Sequence, residues 1–301
     1  MTDPRRYTTP LAFKAALEAR IARRAREQGR TVNRLRQRLV MERFAVRVAE
    51  TLDAVVLKGG LVMELRLDRA RTTRDVDLRA TVRAGALLAA LQEAGRRDSL
   101  DHLVFEVARQ TAHPTIDAEG QRYEGQRFRV AAQLAGRRYA DGFGVDVVIG
   151  EPLVGDPQNI FGDDILDFIG APRPMFAAYP VPTHIAEKLH ALSMPRPRPN
   201  SRVKDLPDIA LLAGIAGLDA HALTTALTAT FAHRQTHALP TALPPPPAAW
   251  TPVYARMAAV DGLPWGTLAA LETAVRAVLD PVLAGHVHDG EWCPEDWCWK
   301  P

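Results

Sequence analysis

The 301-residue sequence has few cysteines, few aromatic residues and no long apolar run. Its two cysteines, Cys293 and Cys298, lie near the C-terminal end, so disulfides do not organise the fold. The longest apolar stretch, residues 209–218, is far too short to span a bilayer. No apolar segment follows residues 1–6 as a secretory signal would require. These absences exclude a disulfide-rich secreted domain and a membrane-spanning protein, and we expect a cytoplasmic globular protein.

Negative charge is scarce in the first fifty residues. They hold 13 Lys or Arg against 5 Asp or Glu, a net charge of +8, whereas the whole chain carries +3. Arg23, Arg24 and Arg26 lie in the centre of this basic cluster, which can neutralise phosphates along a nucleic-acid backbone. Because the chain uses 33 Arg and only 5 Lys, an ordinary solvated helix face in an arginine-rich protein explains the cluster equally well.

Local signals predict two helices within residues 10–52. Thr9 and Pro10 are typical of a helix start, and Gly29 is typical of a helix end. Thr31 can cap the second helix. Residues 54–149 then predict a mixed sheet with short helices between its strands. The predicted strands are 54–57, 73–80, 103–109, 127–134 and 143–149, and the predicted helices are 61–66 and 84–94.

The character of the chain changes after Pro152, and the rear third is helical in pattern. Helices are predicted at 183–192, around 204–208, at about 219–233 and at 263–283, with a proline-rich linker at 244–247. The sequence therefore predicts an α/β (α+β) fold in two lobes. Residues 1–180 form a lobe of basic helices and mixed sheet, and residues 181–301 form a helical C-terminal lobe.

Three acids stand on predicted strands. In Arg74-Asp75-Val76-Asp77-Leu78, the two carboxylates project from one face of a strand, since successive side chains alternate. Asp146 lies far downstream in a second apolar strand. Carboxylates this close repel each other unless a cation lies between them, and oxygen ligands suit Mg²⁺. A solvated strand face would also explain the pair Asp75 and Asp77, but the joint pattern favours a metal site.

A glycine turn precedes the paired acids. Lys58-Gly59-Gly60 follows a short apolar strand, and backbone N–H groups in such a turn can hold phosphates. A glycine pair, an Asp-x-Asp and a distant Asp on an apolar strand together indicate a nucleotidyltransferase site.

A second group lies in the predicted helices of the rear third. Lys188 lies beside the apolar stripe of its helix and could reach a triphosphate across a cleft. Asp205 and Asp208, one helical turn apart, could orient Lys188 or bind a base or ribose. An exposed amphipathic helix with a charge pair near a helix N-terminus is the alternative interpretation.

Four segments, taken in order, resemble the AbiEii/AbiGii family of nucleotidyltransferase toxins, which includes the MenT group. They are Lys58-Gly59-Gly60, residues 71–78, Val145-Asp146-Val147, and Glu187-Lys188-Leu189 with Lys204-Asp205 and Asp208. The resemblance covers roughly residues 50–215. It implies a polymerase-β-like nucleotidyltransferase core, with the N-terminal helices and the helical C-terminal lobe added to it. It also implies a toxin of a toxin–antitoxin system, with an NTP, a tRNA acceptor and a cognate antitoxin as partners.

The resemblance also implies roles for particular residues. Asp75, Asp77 and Asp146 would hold Mg²⁺, with two ions expected and Mn²⁺ as a substitute. Lys188 and Asp205 would be catalytic, and the nucleotide would be bound by Lys58, Gly59, Gly60, Arg74, Lys188 and Asp208, with Arg71 as a further candidate. Members of the MenT group add nucleotides, commonly pyrimidines, to the tRNA 3′ end and block aminoacylation, and Arg23, Arg24 and Arg26 would then contact tRNA. One departure is Leu61, because many members have Ser or Thr after the two glycines.

Two other functions stay open at this point. A nucleotidyltransferase with the same core could modify a small molecule, such as an antibiotic. Alternatively, Leu61 could mark a nucleotide-binding or antitoxin-binding module that is catalytically weak. The C-terminal tail, with His286, His288 and its two cysteines, carries zinc-compatible residues, but their spacing matches no compact zinc finger and apolar packing of its tryptophans is the alternative.

Overall fold

The computed structural model describes residues 7–67, 73–112, 124–196 and 202–301. Its first two helices are α1 (Pro10–Gln28) and α2 (Val32–Thr51). The side-chain oxygens of Thr9 and Thr31 each accept a hydrogen bond from the backbone N–H three residues ahead. Gly29 adopts the left-handed conformation that ends α1. The predicted caps and helix ends are confirmed, because all of these signals are local in sequence.

Within the described residues, eight strands form one mixed sheet with the order β3-β4-β6-β2-β1-β8-β7, and β5 pairs with β4. The strands are β1 (Val56–Lys58), β2 (Asp75–Ala80), β3 (Leu103–Arg109), β4 (Glu124–Leu134), β5 (Arg137–Arg138), β6 (Phe143–Ile149), β7 (Gln158–Phe161) and β8 (Met175–Ala178). Helices α3 (Gly59–Arg66) and α4 (Ala84–Arg96) connect the first three of them. Strand β2 runs parallel to β6 and antiparallel to β1. The predicted mixed sheet is confirmed, but its strands β5, β7 and β8 were not predicted.

The rest of the described chain is mainly helical. Its helices are α5 (Val181–Ser193), α6 (Asp205–Ala213), α7 (Ala220–Arg234), α8 (Trp250–Asp261) and α9 (Leu268–Leu283). A small antiparallel sheet of β9 (Leu218–Asp219), β10 (Glu291–Cys293) and β11 (Cys298–Lys300) was not predicted. Helix α8 was not predicted either, and α9 begins five residues later than expected. No helix in the described ranges is both long and apolar enough to cross a bilayer.

The buried apolar residues form two clusters. The first extends from Phe13 to Ala178 and packs α1, α2 and α4 around the large sheet. The second extends from Val181 to Trp292 and also includes Met63 of α3. Each lobe of a two-lobed protein needs an apolar core of its own, and these two clusters meet that requirement. The division into residues 1–180 and 181–301 stays a prediction about folding units.

Candidate active site

Three carboxylates share one face of two neighbouring parallel strands. Asp75 and Asp77 lie on β2, and Asp77 is directly opposite Asp146 of β6 in the sheet register. The residues between and after the first two, Val76 and Leu78, are buried in the first core. The alternation along β2 therefore turns the acids toward a cleft of about 570 Å³.

Most of the predicted site residues line this cleft. They are Lys58, Gly59, Gly60, Asp75, Asp77, Asp146, Lys188 and Asp205. They come from β1, α3, β2, β6, α5 and the start of α6, so both cores contribute walls to the cleft.

The carboxylates disfavour each other's charge. Burial raises the pKa of Asp77, and the nearby Asp75 raises it further. Burial raises the pKa of Asp146 to about 6, Asp77 adds to that rise, and Arg127 opposes it. Arg127 Nε donates to Asp146 Oδ2 at 3.1 Å. In the described ranges, no three His, Cys, Asp or Glu side chains converge as a metal-ligand group. The donor set nevertheless fits Mg²⁺, because a hard dication would relieve the repulsion among oxygen ligands held on one face.

The glycine turn packs directly against the carboxylates. Gly59 has a φ of +66°, and a Cβ on it would overlap the carboxylate of Asp77. The N–H of Gly60 donates to Asp77 Oδ2 at 3.4 Å, and a Cβ on Gly60 would collide with Thr73. The turn therefore needs glycine both for its backbone angle and for the close approach to Asp77.

Lys188 of α5 lines the same cleft as the three carboxylates, and its side chain is buried. Its Nζ donates to Asp208 Oδ2 at 2.6 Å and lies 3.7 Å from Asp205 Oδ1. Arg202 Nε donates to the other oxygen of Asp205 at 2.5 Å. Asp205 and Asp208 therefore both contact Lys188, and their role in orienting it stays a prediction. Asp208 does not itself line the cleft as the described residues define it.

A profile of the protein family described as "Nucleotidyl transferase AbiEii toxin, Type IV TA system" matches residues 39–265, well over half of the chain. The chain belongs to this family. Among solved structures, MenT4, a nucleotidyltransferase toxin from Mycobacterium tuberculosis, matches with a TM-score of 0.53 at 16% identity, covering 93% of this chain and 92% of that one. JHP933 from Helicobacter pylori matches with a TM-score of 0.41 at 13% identity, covering 67% of this chain and 80% of that one. No curated protein matches the sequence.

These findings confirm both the resemblance to AbiEii proteins and the predicted fold class. At 16% identity, the match to MenT4 shows a shared fold and nothing more. Membership of the AbiEii family shows the class of protein, a nucleotidyltransferase toxin of type IV toxin–antitoxin systems.

A group of buried charges in the wall of the cleft was missed in the sequence. Lys58, expected to bind nucleotide, lines the cleft and donates to Glu187 Oε1 at 2.5 Å and to Glu151 Oε2. Arg234 donates to both of these carboxylates. Burial and the neighbouring Glu151 raise the pKa of Glu187. Burial alone would raise the pKa of Glu151 as well, but Lys58 and Arg234 hold it well below its usual range. The only sequence signal was the position of Glu187 next to Lys188.

One predicted nucleotide ligand, Arg74, does not line the cleft as it is described. Arg74 is exposed just before β2, and its carbonyl accepts a hydrogen bond from the N–H of Gly144. It is not among the described residues that line the cleft. Arg71 lies outside the described residues.

The predicted tRNA-contacting arginines lie on α1, away from the described cleft lining. Arg24 donates to Asp164 at 2.8 Å and to Asp163 at 3.3 Å. Arg23 lies 3.6 Å from Glu27, and Arg26 is exposed. Part of the charge of this cluster is therefore balanced by carboxylates within the chain.

The cysteine tail forms a hairpin. Cys293 of β10 lies directly opposite Cys298 of β11, and both are free thiols. Trp292 donates its indole N–H to the carbonyl of Ala213, so the hairpin packs on the second core. The described part of the tail therefore shows the apolar packing that was the alternative to zinc.

Proposed function

We propose that this AbiEii-family chain is the toxin of a toxin–antitoxin system, and that it adds a nucleoside monophosphate from an NTP to the 3′ end of tRNA. A pyrimidine is the expected base, and the product could no longer be aminoacylated. The observation that carries the proposal is the cleft itself, in which Asp75, Asp77 and Asp146 face the buried Lys188. Both substrates and the antitoxin would meet the chain in the cytoplasm.

In the proposed reaction, the 3′-oxygen of the acceptor forms a bond to the α-phosphorus, and the bond from that phosphorus to the β-phosphate's bridging oxygen breaks. Pyrophosphate leaves, and no covalent enzyme intermediate is needed. Asp75, Asp77 and Asp146 would hold Mg²⁺, or Mn²⁺ in its place. The chemistry supplied by the bound ions is neutralisation of the triphosphate and a lower pKa for the attacking hydroxyl.

The side chains of the cleft then have distinct tasks. Asp146 accepts the proton of the attacking hydroxyl, because it lies beside the other two carboxylates in the cleft. Lys188, oriented by Asp205 and Asp208, stabilises the charge that grows on the leaving phosphates. Gly59 and Gly60 keep the turn close to Asp77 and leave room for the triphosphate.

The experiment is incubation of purified protein with total bacterial tRNA, Mg²⁺ and each α-³²P-labelled NTP in turn. Label on tRNA is expected with the wild type and is expected to be lost in Asp77→Ala, Asp75→Ala and Lys188→Ala. Asp156→Ala removes an exposed aspartate outside the described cleft lining and serves as the matched control. Growth inhibition should follow the same order. Retained toxicity in a well-expressed Asp77→Ala protein would contradict the mechanism, and labelling of a small molecule instead of tRNA would replace the proposed acceptor.

We further propose that Arg23, Arg24 and Arg26 contact the tRNA backbone outside the cleft. Reversal of all three charges is expected to weaken tRNA binding and to make it less dependent on salt. Filter binding at several salt concentrations measures both. If neither changes, the cluster serves solubility or antitoxin contact.

A further inference from the structure

Arg234, the last residue of α7, lies in none of the motifs that identify the family. Its side chain is nearly buried. Nη2 donates to Glu151 Oε1 at 2.5 Å and to Glu187 Oε1 at 2.7 Å. Nη1 donates to Nδ1 of His190 at 3.3 Å. One guanidinium thus joins three side chains in the wall of the cleft, which Arg234 itself lines.

Lys58 lies between the same two carboxylates. It donates to Glu187 Oε1, which also accepts from Arg234, and to Glu151 Oε2, opposite the oxygen that Arg234 contacts. The four side chains form a charge square, in which each carboxylate contacts both cations. Lys58 is the last residue of β1 and Glu151 lies two residues after β6, whereas Glu187 and Arg234 belong to α5 and α7. The square therefore links the sheet to the helices.

Two members of the charge square, Lys58 and Glu187, are next in sequence to proposed catalytic elements. Lys58 precedes Gly59, whose backbone packs against Asp77. Glu187 precedes Lys188, the proposed phosphate ligand. A shift of α5 against the sheet would move Lys188 relative to Asp77, and the square opposes that shift.

The histidine at the far side fixes the orientation of the guanidinium. Because Nδ1 of His190 accepts from Arg234, its proton must lie on Nε2, which donates to Thr236 Oγ1 at 2.8 Å. His190 is fully buried, and burial together with the charge of Arg234 lowers its pKa, so the ring stays a neutral acceptor. A lysine ammonium could preserve the charge of Arg234 but not its planar fork of donors.

We propose that Arg234 is a positioning residue for nucleotidyl transfer, which holds Glu187 and Glu151 and thereby sets Lys58 and Lys188 relative to the three carboxylates. This inference rests on the proposed function. Arg234 also lines the cleft. Its described hydrogen bonds go to Glu151, Glu187 and His190, and the described route from Arg234 to Lys188 runs through Glu187 and α5.

The first test observes the lysines directly, without any reaction. The chain has five lysines, so ¹⁵N-lysine labelling gives a small set of Nζ signals. Arg234→Met is expected to change the signals of Lys58 and of Lys188. Arg276→Met, which removes an arginine paired with Glu272 and Asp280 on the surface of α9, is the matched control and should change neither. An unchanged Lys188 signal in Arg234→Met would overturn the proposal.

The second test separates positioning from charge in the kinetics of transfer to tRNA. Arg234→Lys keeps the charge and is expected to lower kcat by about tenfold or more, with KM for the NTP within about threefold of wild type. Arg234→Met should also raise KM, since one negative charge is then uncompensated beneath the triphosphate. Wild-type kcat in folded Arg234→Lys, with only a lower Tm, would assign Arg234 a merely structural role and overturn the proposal.

The two tests fail independently. A wild type that labels no acceptor, with a Lys188 signal that responds to Arg234→Met, refutes the proposed function but supports the positioning. If Arg234→Met does not fold, Arg234→Gln and Arg234→Lys take its place, with the added lysine signal identified by comparison with wild type. In each of them an unchanged Lys188 signal overturns the proposal.

Discussion

Gly59→Ala tests how the turn supports the carboxylates. The substitution adds one methyl group at a backbone φ of +66°, where that methyl would lie 2.5 Å from Asp77 Cγ and 2.9 Å from its Cβ. Gly29→Ala is a matched control, because Gly29 has a φ of +62° and no described atom would lie within 4 Å of its new Cβ. Both variants carry the same backbone strain, and only one displaces Asp77.

The two effects differ in size. An L-residue in the left-handed region costs about 1–2 kcal/mol relative to glycine, and both variants should lose that much free energy of unfolding. Normal contact between carbon atoms needs about 3.5 Å, so the Asp77 carboxylate or the turn must move by about 1 Å in Gly59→Ala. A misplacement of about 1 Å at a reacting centre costs on the order of 100-fold in rate. We therefore expect Gly59→Ala to lose about 1–3 kcal/mol more free energy of unfolding than Gly29→Ala, because of this clash, and to lose far more activity.

The assay pairs urea denaturation with transfer of α-³²P-labelled nucleotide to tRNA. Gly29→Ala should keep wild-type activity once its loss of folded protein is taken into account. Gly59→Ala should lose activity well beyond any loss of folded protein. Activity of Gly59→Ala within about threefold of Gly29→Ala would refute the reasoning, because Asp77 would then tolerate displacement that no metal ligand tolerates.

Three further predictions concern other parts of the chain. Asp101 is fully buried and accepts hydrogen bonds from Arg47 and Arg43 of α2. Asp101→Asn should therefore cost about 3–5 kcal/mol of the free energy of unfolding. A loss under about 1 kcal/mol in urea denaturation would contradict this. Burial lowers the pKa of His190 to about 3, so the unfolded chain takes up a proton at a higher pH than the folded chain does. The free energy of unfolding should therefore fall by up to about 1.4 kcal/mol per pH unit below about pH 6.5. In His190→Asn, the free energy of unfolding should depend less steeply on pH. Cys293 and Cys298 are directly opposed, and the spacing of about 5 Å between the Cα atoms of such a pair suits a disulfide. Diamide should therefore oxidise both thiols within the monomer and add about 2 kcal/mol to the free energy of unfolding. Dimers on non-reducing gels would contradict this.

Local signals in the sequence account for the elements that were predicted well. Thr9, Gly29 and Thr31 each act on backbone groups within a few residues, so α1 and α2 could be bounded from sequence. The apolar run at 143–149 coincides with β6, because a strand buried on both sides needs such a run.

Elements defined by distant partners gave no such signal. Strands β7 and β8 are four residues each, and β7 has largely exposed side chains. Strand β7 pairs with β8, which joins the sheet through β1, far away in sequence. Helix α8 buries only Trp250, Tyr254 and Ala258, which is too narrow a stripe to distinguish it from the neighbouring proline-rich linker.

The same distinction applies to the site. Asp75, Asp77 and Asp146 could be placed on one face because strand alternation is a local rule, and the register of two parallel strands then brought them together. Arg234 ends helix α7, and Glu151, which lies 83 residues earlier, follows strand β6 by two residues. No periodicity in the sequence connects two such positions. A buried ion pair between separate elements becomes visible only when the fold is known.

The burial of Leu61 bears on whether a side chain at this position could contact a bound triphosphate. Its side chain is fully buried in the first core cluster, although the glycines before it line the cleft. A hydroxyl at this position would therefore lie in the apolar core and not at a triphosphate. Leu61→Ala should cost about 2–5 kcal/mol of the free energy of unfolding, and Leu61→Ser somewhat more, because its hydroxyl is desolvated as well. When NTP is titrated in the presence of Mg²⁺, neither variant should bind NTP more tightly than the wild type, per folded molecule. Tighter binding in Leu61→Ser than in Leu61→Ala would show instead that the hydroxyl reaches the nucleotide, and that α3 rotates when the triphosphate binds.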